Sequence, residues 1–328
     1  MVAGFFYPRI DNAPKICYTN LITRKEAVMS ITRTTYKSRP ALAVKTSAMT
    51  ALFLPEDGGK LASVTASDGF EFLCQNPSPD YAPLAYDGSY VDSECASFDD
   101  MFPTVDPYTL PEGDYAGITY PDHGETCRLP YEVEINGGSV KLSAASRILP
   151  LTYEKVITPQ ADGSMTVTYT LENSGNEPLP FIWAAHCMLR GQDDLRIVTP
   201  YPADTSVTYM FGATHADGLP LDRLSGYEPG LGRAYKYYFD EPSDGGFVSA
   251  VYTESGHRFE MDFGNLFGSS LPYLGVWINN GSFKNYYNIA IECATAPYDA
   301  PDRALRSGYC SEIPRKNKWE FTLRIRVD

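Results

Sequence analysis

The sequence predicts an all-β protein, a large antiparallel β-sandwich with few short helices. Two observations carry that prediction. Apolar and polar residues alternate in segment after segment, and Gly, Pro, Asn and Asp gather between those segments as turns. A third is negative: no stretch sustains the 3.6-residue apolar period of a long helix.

The clearest strand is WEFTLRIRV, where Trp319, Phe321, Leu323, Ile325 and Val327 share one face while Glu320, Thr322, Arg324 and Arg326 share the other. SMTVTYTLEN repeats this with Met165, Val167, Tyr169 and Leu171 after the turn signal Asp162-Gly163, and SVKLSAAS follows Asn136-Gly137-Gly138. In chain order the other strand candidates are ALAVKTS, TALFLP, KLASVTA, GFEFLC, YEVEI, YEKVIT, LRIVTP, KYYFD, GFVSAVY, RFEMDF and YLGVWIN. From about Asn76 to Tyr120 the chain is irregular and rich in Tyr, Asp and Pro, the pattern of a functional loop or an insertion. Residues 1–39 are expected to form an N-terminal extension and 40–328 the sandwich domain.

Charge restricts the partners. Residues 1–40 carry seven Lys or Arg against Asp11 and Glu26, whereas the rest carries 20 basic and 39 acidic residues. A body that acidic repels polyanions, which argues against nucleic acid and anionic membrane as partners. No apolar run reaches the ~18 residues of a membrane span, and Pro8 and Arg9 interrupt the apolar start that a signal peptide needs. The seven cysteines are widely spaced without a CxxC, so reduced thiols and a cytoplasmic setting are expected. A homodimer is admissible on this reading.

Nucleotide, metal and serine-hydrolase motifs are missing, which leaves histidines, carboxylates and aromatics to carry chemistry. His186 lies within PFIWAAHCML, where alternation sets it on a face with Ile182, Ala184 and Met188. Glu292 lies within NYYNIAIECATAP on a face with Asn288 and Ala290. An apolar strand setting raises a carboxyl pKa and suits a base near neutral pH. The plain alternatives are a hydrogen-bonded core histidine and a paired structural glutamate. His123 and Arg128 stand close together in PDHGETCRLPYEVEI. Asp99 and Asp100 sit among aromatics in SFDDMFPTV, suited to sugar hydroxyls or to a solvated acidic turn. His215 and His257 read as surface residues.

Taken in order, these segments resemble the aldose 1-epimerase, or galactose mutarotase-like, family. LPEDGGKLASVTASDGFEFL resembles its N-terminal hairpin, DHGETCRLPYEVE a segment in which a histidine and a glycine precede an arginine, PLPFIWAAHCML the strand of its catalytic histidine, and IAIECATAPYDA the strand of its catalytic glutamate. The closing segment PDRALRSGYCSEIPRKNKWEFTLRIRV matches as well, so the resemblance spans roughly residues 40 to 328. It implies the family's β-supersandwich and interconversion of the anomers of a free sugar without metal or organic cofactor. In that reaction Glu292 would take the C1 hydroxyl proton, protonated His186 would supply the ring oxygen, His123 would bind that oxygen, and Arg128 would hold a hydroxyl. Two features depart from the family. Cys187 and Cys293 stand where it commonly has prolines, and FDDMFPTV replaces its sugar-holding Asn-Arg-Ile segment. A catalytically silent sugar binder is the alternative, and glycoside hydrolysis by paired carboxylates a weaker one. A phosphosugar is less attractive, since Arg128, Arg147 and Arg190 are the few candidate cations.

Overall fold

The computed structural model describes residues 29–217, 221–222, 231–243, 246–264 and 271–328. Two antiparallel sheets account for most of it. The larger has ten strands, in spatial order Ser30–Tyr36, Arg39–Lys45, Met49–Leu54, Lys60–Ala66, Phe98–Met101, Ala184–Arg190, Tyr287–Ala294, Tyr273–Asn280, Arg233–Phe239 and Val207–Phe211. The other has eight: Leu195–Val198, Phe247–Tyr252, Arg258–Asp262, Asn317–Val327, Met165–Asn173, Leu151–Pro159, Ser139–Ala145 and Glu132–Asn136. Among the described residues the only α-helix is Pro301–Ser307, entered through Pro301 and closed by Gly308 in the left-handed conformation that favours glycine. Residues 1–28, most of the expected extension, lie outside the described residues; Ser30–Tyr36 pairs with Arg39–Lys45.

Alternation decides what each face of a strand meets. In Asn317–Val327 the five alternate apolar residues from Trp319 to Val327 are all buried, and Tyr169 stacks on Phe321 with centroids 4.6 Å apart. One continuous core joins these side chains to Ile289, Ile291, Cys293, Cys187 and Leu189 of the larger sheet. The opposite face of those same strands presents Asn288, Ala290, Glu292, His186 and Met188. That outer face is where the polar chemistry gathers.

Three expectations need correction. GFEFLC contributes only isolated bridges at Glu71 and Leu73, because the Glu71 carboxylate itself accepts from the Val64 and Leu73 amides at 3.0 and 2.9 Å in place of a ladder. The irregular stretch after Asn76 contains a real strand, Phe98–Met101, wedged between Lys60–Ala66 and Ala184–Arg190. Edge strands Ser30–Tyr36 and Val207–Phe211 went unpredicted, since neither has a fully buried residue to mark a face. No helix among the described residues is long and apolar enough to cross a membrane.

Candidate active site

Four adjacent inner strands of the larger sheet build the site. The register that pairs Ala184 with Ala294 and Cys187 with Ile291 puts His186 opposite Glu292, and on the other flank Glu292 pairs with Gly275. Tyr238 pairs with Gly275 in turn, two residues along the strand from Lys236. A Cβ at Gly275 would stand 2.6 Å from the Tyr238 ring, so only glycine lets that ring lie against the sheet beside Glu292. These side chains floor a cavity of about 200 Å³ whose walls include His123, Tyr90, Phe211, Trp277, Asn279, Phe283, Asn288 and Asp299.

His186 Nε2 lies 3.8 Å from Glu292 Oε1, and both residues are buried. The imidazole is aimed from behind. Tyr90 Oη donates its only proton to Asp99 Oδ2 at 2.8 Å, so at 3.1 Å its oxygen must accept from His186 Nδ1–H. That tautomer leaves Nε2 as the free, proton-accepting nitrogen facing the cavity. Tyr90 is itself stacked on His123, with centroids 3.9 Å apart. His123 carries the left-handed backbone of φ 60°, pinned by its amide to the Val105 carbonyl at 2.6 Å. The next residue, Gly124, has φ 76° and no room for a Cβ, which would fall 2.4 Å from the Phe102 carbonyl oxygen. Strain of this kind persists where surrounding structure holds a functional group in place.

Charge around Glu292 is arranged in a row. Lys236 Nζ lies 2.6 Å from Glu292 Oε2 and 2.8 Å from Asp299 Oδ1, and Tyr238 donates to the same Asp299 oxygen at 3.0 Å. The ammonium is the donor that reaches Glu292 Oε2, whereas Oε1 has no hydrogen-bond donor among the described residues. Burial raises the Glu292 carboxyl, and Lys236 opposes that rise. For His186, burial above all, then His123 and Lys236, pushes the imidazole well below its usual range. Burial also acts against the Lys236 ammonium, but Asp299 and Glu292 outweigh it and hold that group protonated.

His186, Glu292 and His123 thus meet at one cavity, whereas Arg128, Asp99 and Asp100 do not line it. Arg128 was expected to hold a sugar hydroxyl; instead its guanidinium is buried and donates to the carbonyls of Tyr86, Gly88, Asp122 and Gly124 at 2.8 to 3.1 Å. It staples the loop that carries Tyr90 to the turn that carries His123. Asp100 points the other way, into the sandwich, where it pairs with Lys155 at 2.7 Å and accepts from Tyr169 at 2.7 Å. Asp99 is consumed by Lys60 and Tyr90, and serves His186 through the latter. His215 and His257 lie away from the cavity, His257 half-buried against Phe70 at 4.0 Å. The residues the sequence reading missed are Lys236, Asp299 and Tyr90. A lysine inside the apolar run AYKYYF was the available signal for the first.

Two measurements check this arrangement. Arg128→Lys cannot satisfy a fork of four carbonyls, so unfolding in urea should show a loss of about 2–3 kcal/mol. A folded state that holds His186 neutral loses stability as pH falls below about 6.5, where the unfolded chain takes up a proton that the fold refuses. Thermal melts from pH 7 to 5 should fall less steeply for His186→Gln than for wild type.

Among the described residues no three His, Cys, Asp or Glu side chains are grouped to hold a metal ion. The six described cysteines are free, and Cys17 lies outside the described residues.

The architecture is that of the galactose mutarotase-like β-sandwich proteins. It is similar to a candidate aldose 1-epimerase from Klebsiella pneumoniae at 14% identity and TM-score 0.71, covering 92% of this chain and 84% of that one. A galactose mutarotase-like protein from Clostridium acetobutylicum matches at 13% identity and TM-score 0.62, covering 92% and 98% of the two chains. A galactose mutarotase related enzyme from Lactobacillus acidophilus matches at 15% identity and TM-score 0.61, with coverage of 91% and 97%. No protein-family model matches the chain, and no curated protein matches it in sequence.

Proposed function

We propose that the protein is a mutarotase, an aldose 1-epimerase acting on a free monosaccharide, with Glu292 and His186 as its acid/base pair. One observation carries the reading: a proton-accepting imidazole nitrogen and a carboxylate oxygen without a hydrogen-bond donor stand 3.8 Å apart in one cavity. Two groups so close suit two oxygens on one carbon, which is what an anomeric centre presents. His186 is neutral in the free site and takes up a proton from solvent at Nε2 before the step; ring opening then moves the C1 hydroxyl proton to Glu292 while His186 gives its proton to the ring oxygen. Rotation about C1–C2 and closure by the reverse transfers give the other anomer.

Protonation of the free site favours this shuttle. A buried carboxyl moves up and a buried imidazole moves down, so their proton affinities converge and transfer between them through the sugar comes near to thermoneutral. The two titrate as a coupled pair, with apparent pKa values that belong to both. His123 stands beside His186, centroids 5.6 Å apart, where it can bind the ring oxygen. Asn288 lines the cavity with a buried Oδ1 that finds no donor, which fits a sugar hydroxyl. Phe211, Trp277 and Phe283, 5.2 to 6.1 Å apart, give the apolar face of a ring a surface to rest on.

The volume favours one ring over a chain of them. About 200 Å³ is small beside the roughly 300–1,000 Å³ of drug-sized sites and suits a single sugar ring. Polarimetry or NMR on freshly dissolved single anomers of several aldoses is the test. Faster equilibration than buffer is expected. A rate equal to buffer overturns the reading, and sugar binding without acceleration selects a silent carbohydrate-binding protein instead.

A further inference from the structure

We propose that Lys236 is the positioning residue that keeps the buried Glu292 an ionised base, with Asp299 setting how strongly it does so. The proposal rests on the mutarotase reading for its kinetic consequence. Its geometry stands without it.

Glu292 is 0% exposed, and among the described residues Lys236 is the donor that reaches its carboxylate. Without that ammonium the buried carboxylate would favour its protonated form and cease to be a base, because burial destabilises an uncompensated charge. Every group facing it bears on this. From the strand Arg233–Phe239 comes Lys236, whose ammonium at 2.6 Å is the nearest charge. From Ala184–Arg190 comes the His186 imidazole at 3.8 Å. The segment after Tyr287–Ala294 returns Asp299, which shares the Lys236 ammonium at 2.8 Å and repels the Glu292 charge. The turn at His123 and the loop residue Asp106 close the cavity from the other side. Tyr238, its hydroxyl committed to Asp299, fills the remaining flank. Gly275, directly opposite, adds no charge.

One cation therefore stands between two carboxylates. With both present, Lys236 is divided between them and restrains the Glu292 carboxyl without depressing it to a solvated value. That intermediate setting is what a base must have if it is to return the proton during ring closure. The tie to Asp299 also fixes Nζ in place, so the carboxylate is held through Oε2 while Oε1 stays open to a substrate hydroxyl.

The two partners act on Glu292 in opposite senses, and a purely structural role cannot reproduce that. In Lys236→Met the acid limb of the kcat profile for anomer equilibration should move to higher pH by about one unit or more, with KM changed less than about threefold. In Lys236→Arg the limb should return toward wild type. In Asp299→Asn, where Lys236 serves Glu292 alone, it should move to lower pH. Limbs that stay put, or that move the same way in Lys236→Met and Asp299→Asn, overturn the proposal. Should Lys236→Met fail to fold, a limb lowered in Asp299→Asn beside one near wild type in Lys236→Arg supports the proposal, and a limb unmoved or raised in Asp299→Asn overturns it. The proposal can also be read without activity: in NMR of protein carrying carbon-13 at the glutamate carboxyls, the resonance absent from Glu292→Gln should titrate with its midpoint raised in Lys236→Met and lowered in Asp299→Asn. Unmoved midpoints overturn it. A wild type that leaves anomers unaccelerated, yet shows these opposed midpoints, would instead strike only at the mutarotase reading.

Discussion

Glu292→Gln should lower kcat for anomer interconversion by roughly 10²–10⁴-fold, the contribution of one positioned base, and leave KM within a few-fold. The amide is close to isosteric, so the ring contacts made by Phe211, Trp277 and Asn288 persist and binding survives. What is lost is the ability to accept a proton at a point 3.8 Å from His186 Nε2. Rates measured by polarimetry on an α-aldose, with affinity measured separately by calorimetry, separate the two effects. Full activity in this variant would remove Glu292 from the mechanism. Loss of binding together with rate would mean that the carboxylate holds the sugar and does no proton transfer.

The second large effect concerns stability, and it lies on the opposite face of the same sheet. Lys155→Met should cost about 3–5 kcal/mol, because it strands the Asp100 carboxylate in the sandwich interior with only the Tyr169 hydroxyl for company. Urea unfolding monitored by tryptophan fluorescence measures it. A double variant, Lys155→Met with Asp100→Leu, should recover most of the loss, since an apolar pair of similar volume requires no desolvation of charge. If the single variant is as stable as wild type, Asp100 is protonated or hydrated there, and the ion pair has no structural role.

These outcomes show where sequence reasoning succeeds and where it stops. The sandwich was legible because period 2 is a local signal: residues Trp319 to Val327 state their own face without reference to a neighbour. His186 and Glu292 were legible for the same reason, each being a polar residue on a strand of otherwise apolar character. Asp99 and Asp100 were misread. Two adjacent carboxylates among aromatics look like partners for sugar hydroxyls or a solvated turn until Lys60 and Lys155 arrive from strands 39 and 55 residues away in the sequence. Alternation then sends the pair to opposite faces, one behind the site and one into the core. Arg128 was misread because its partners are backbone carbonyls, which leave no trace in side-chain identity. Lys236 and Asp299, 63 positions apart, likewise acquire meaning only from strand register. Cys187 and Cys293, standing at positions where the resembled family has prolines, turn out to face the core; the His186 ring is aimed by Tyr90 from the other face.

The placement of His186 and Glu292 on inner strands has a further consequence, for how the protein opens. Ala184–Arg190 and Tyr287–Ala294 are hydrogen-bonded along both edges, so their backbone is released only when the sheet as a whole gives way. Tyr90 and His123 belong to connecting loops joined chiefly by one guanidinium and a few amides, and such segments open at a smaller free energy. On the proposed reading, the pair assigned to proton transfer would be as durable as the fold itself, while the loops that wall the cavity would be the part able to open and admit a sugar with the fold intact.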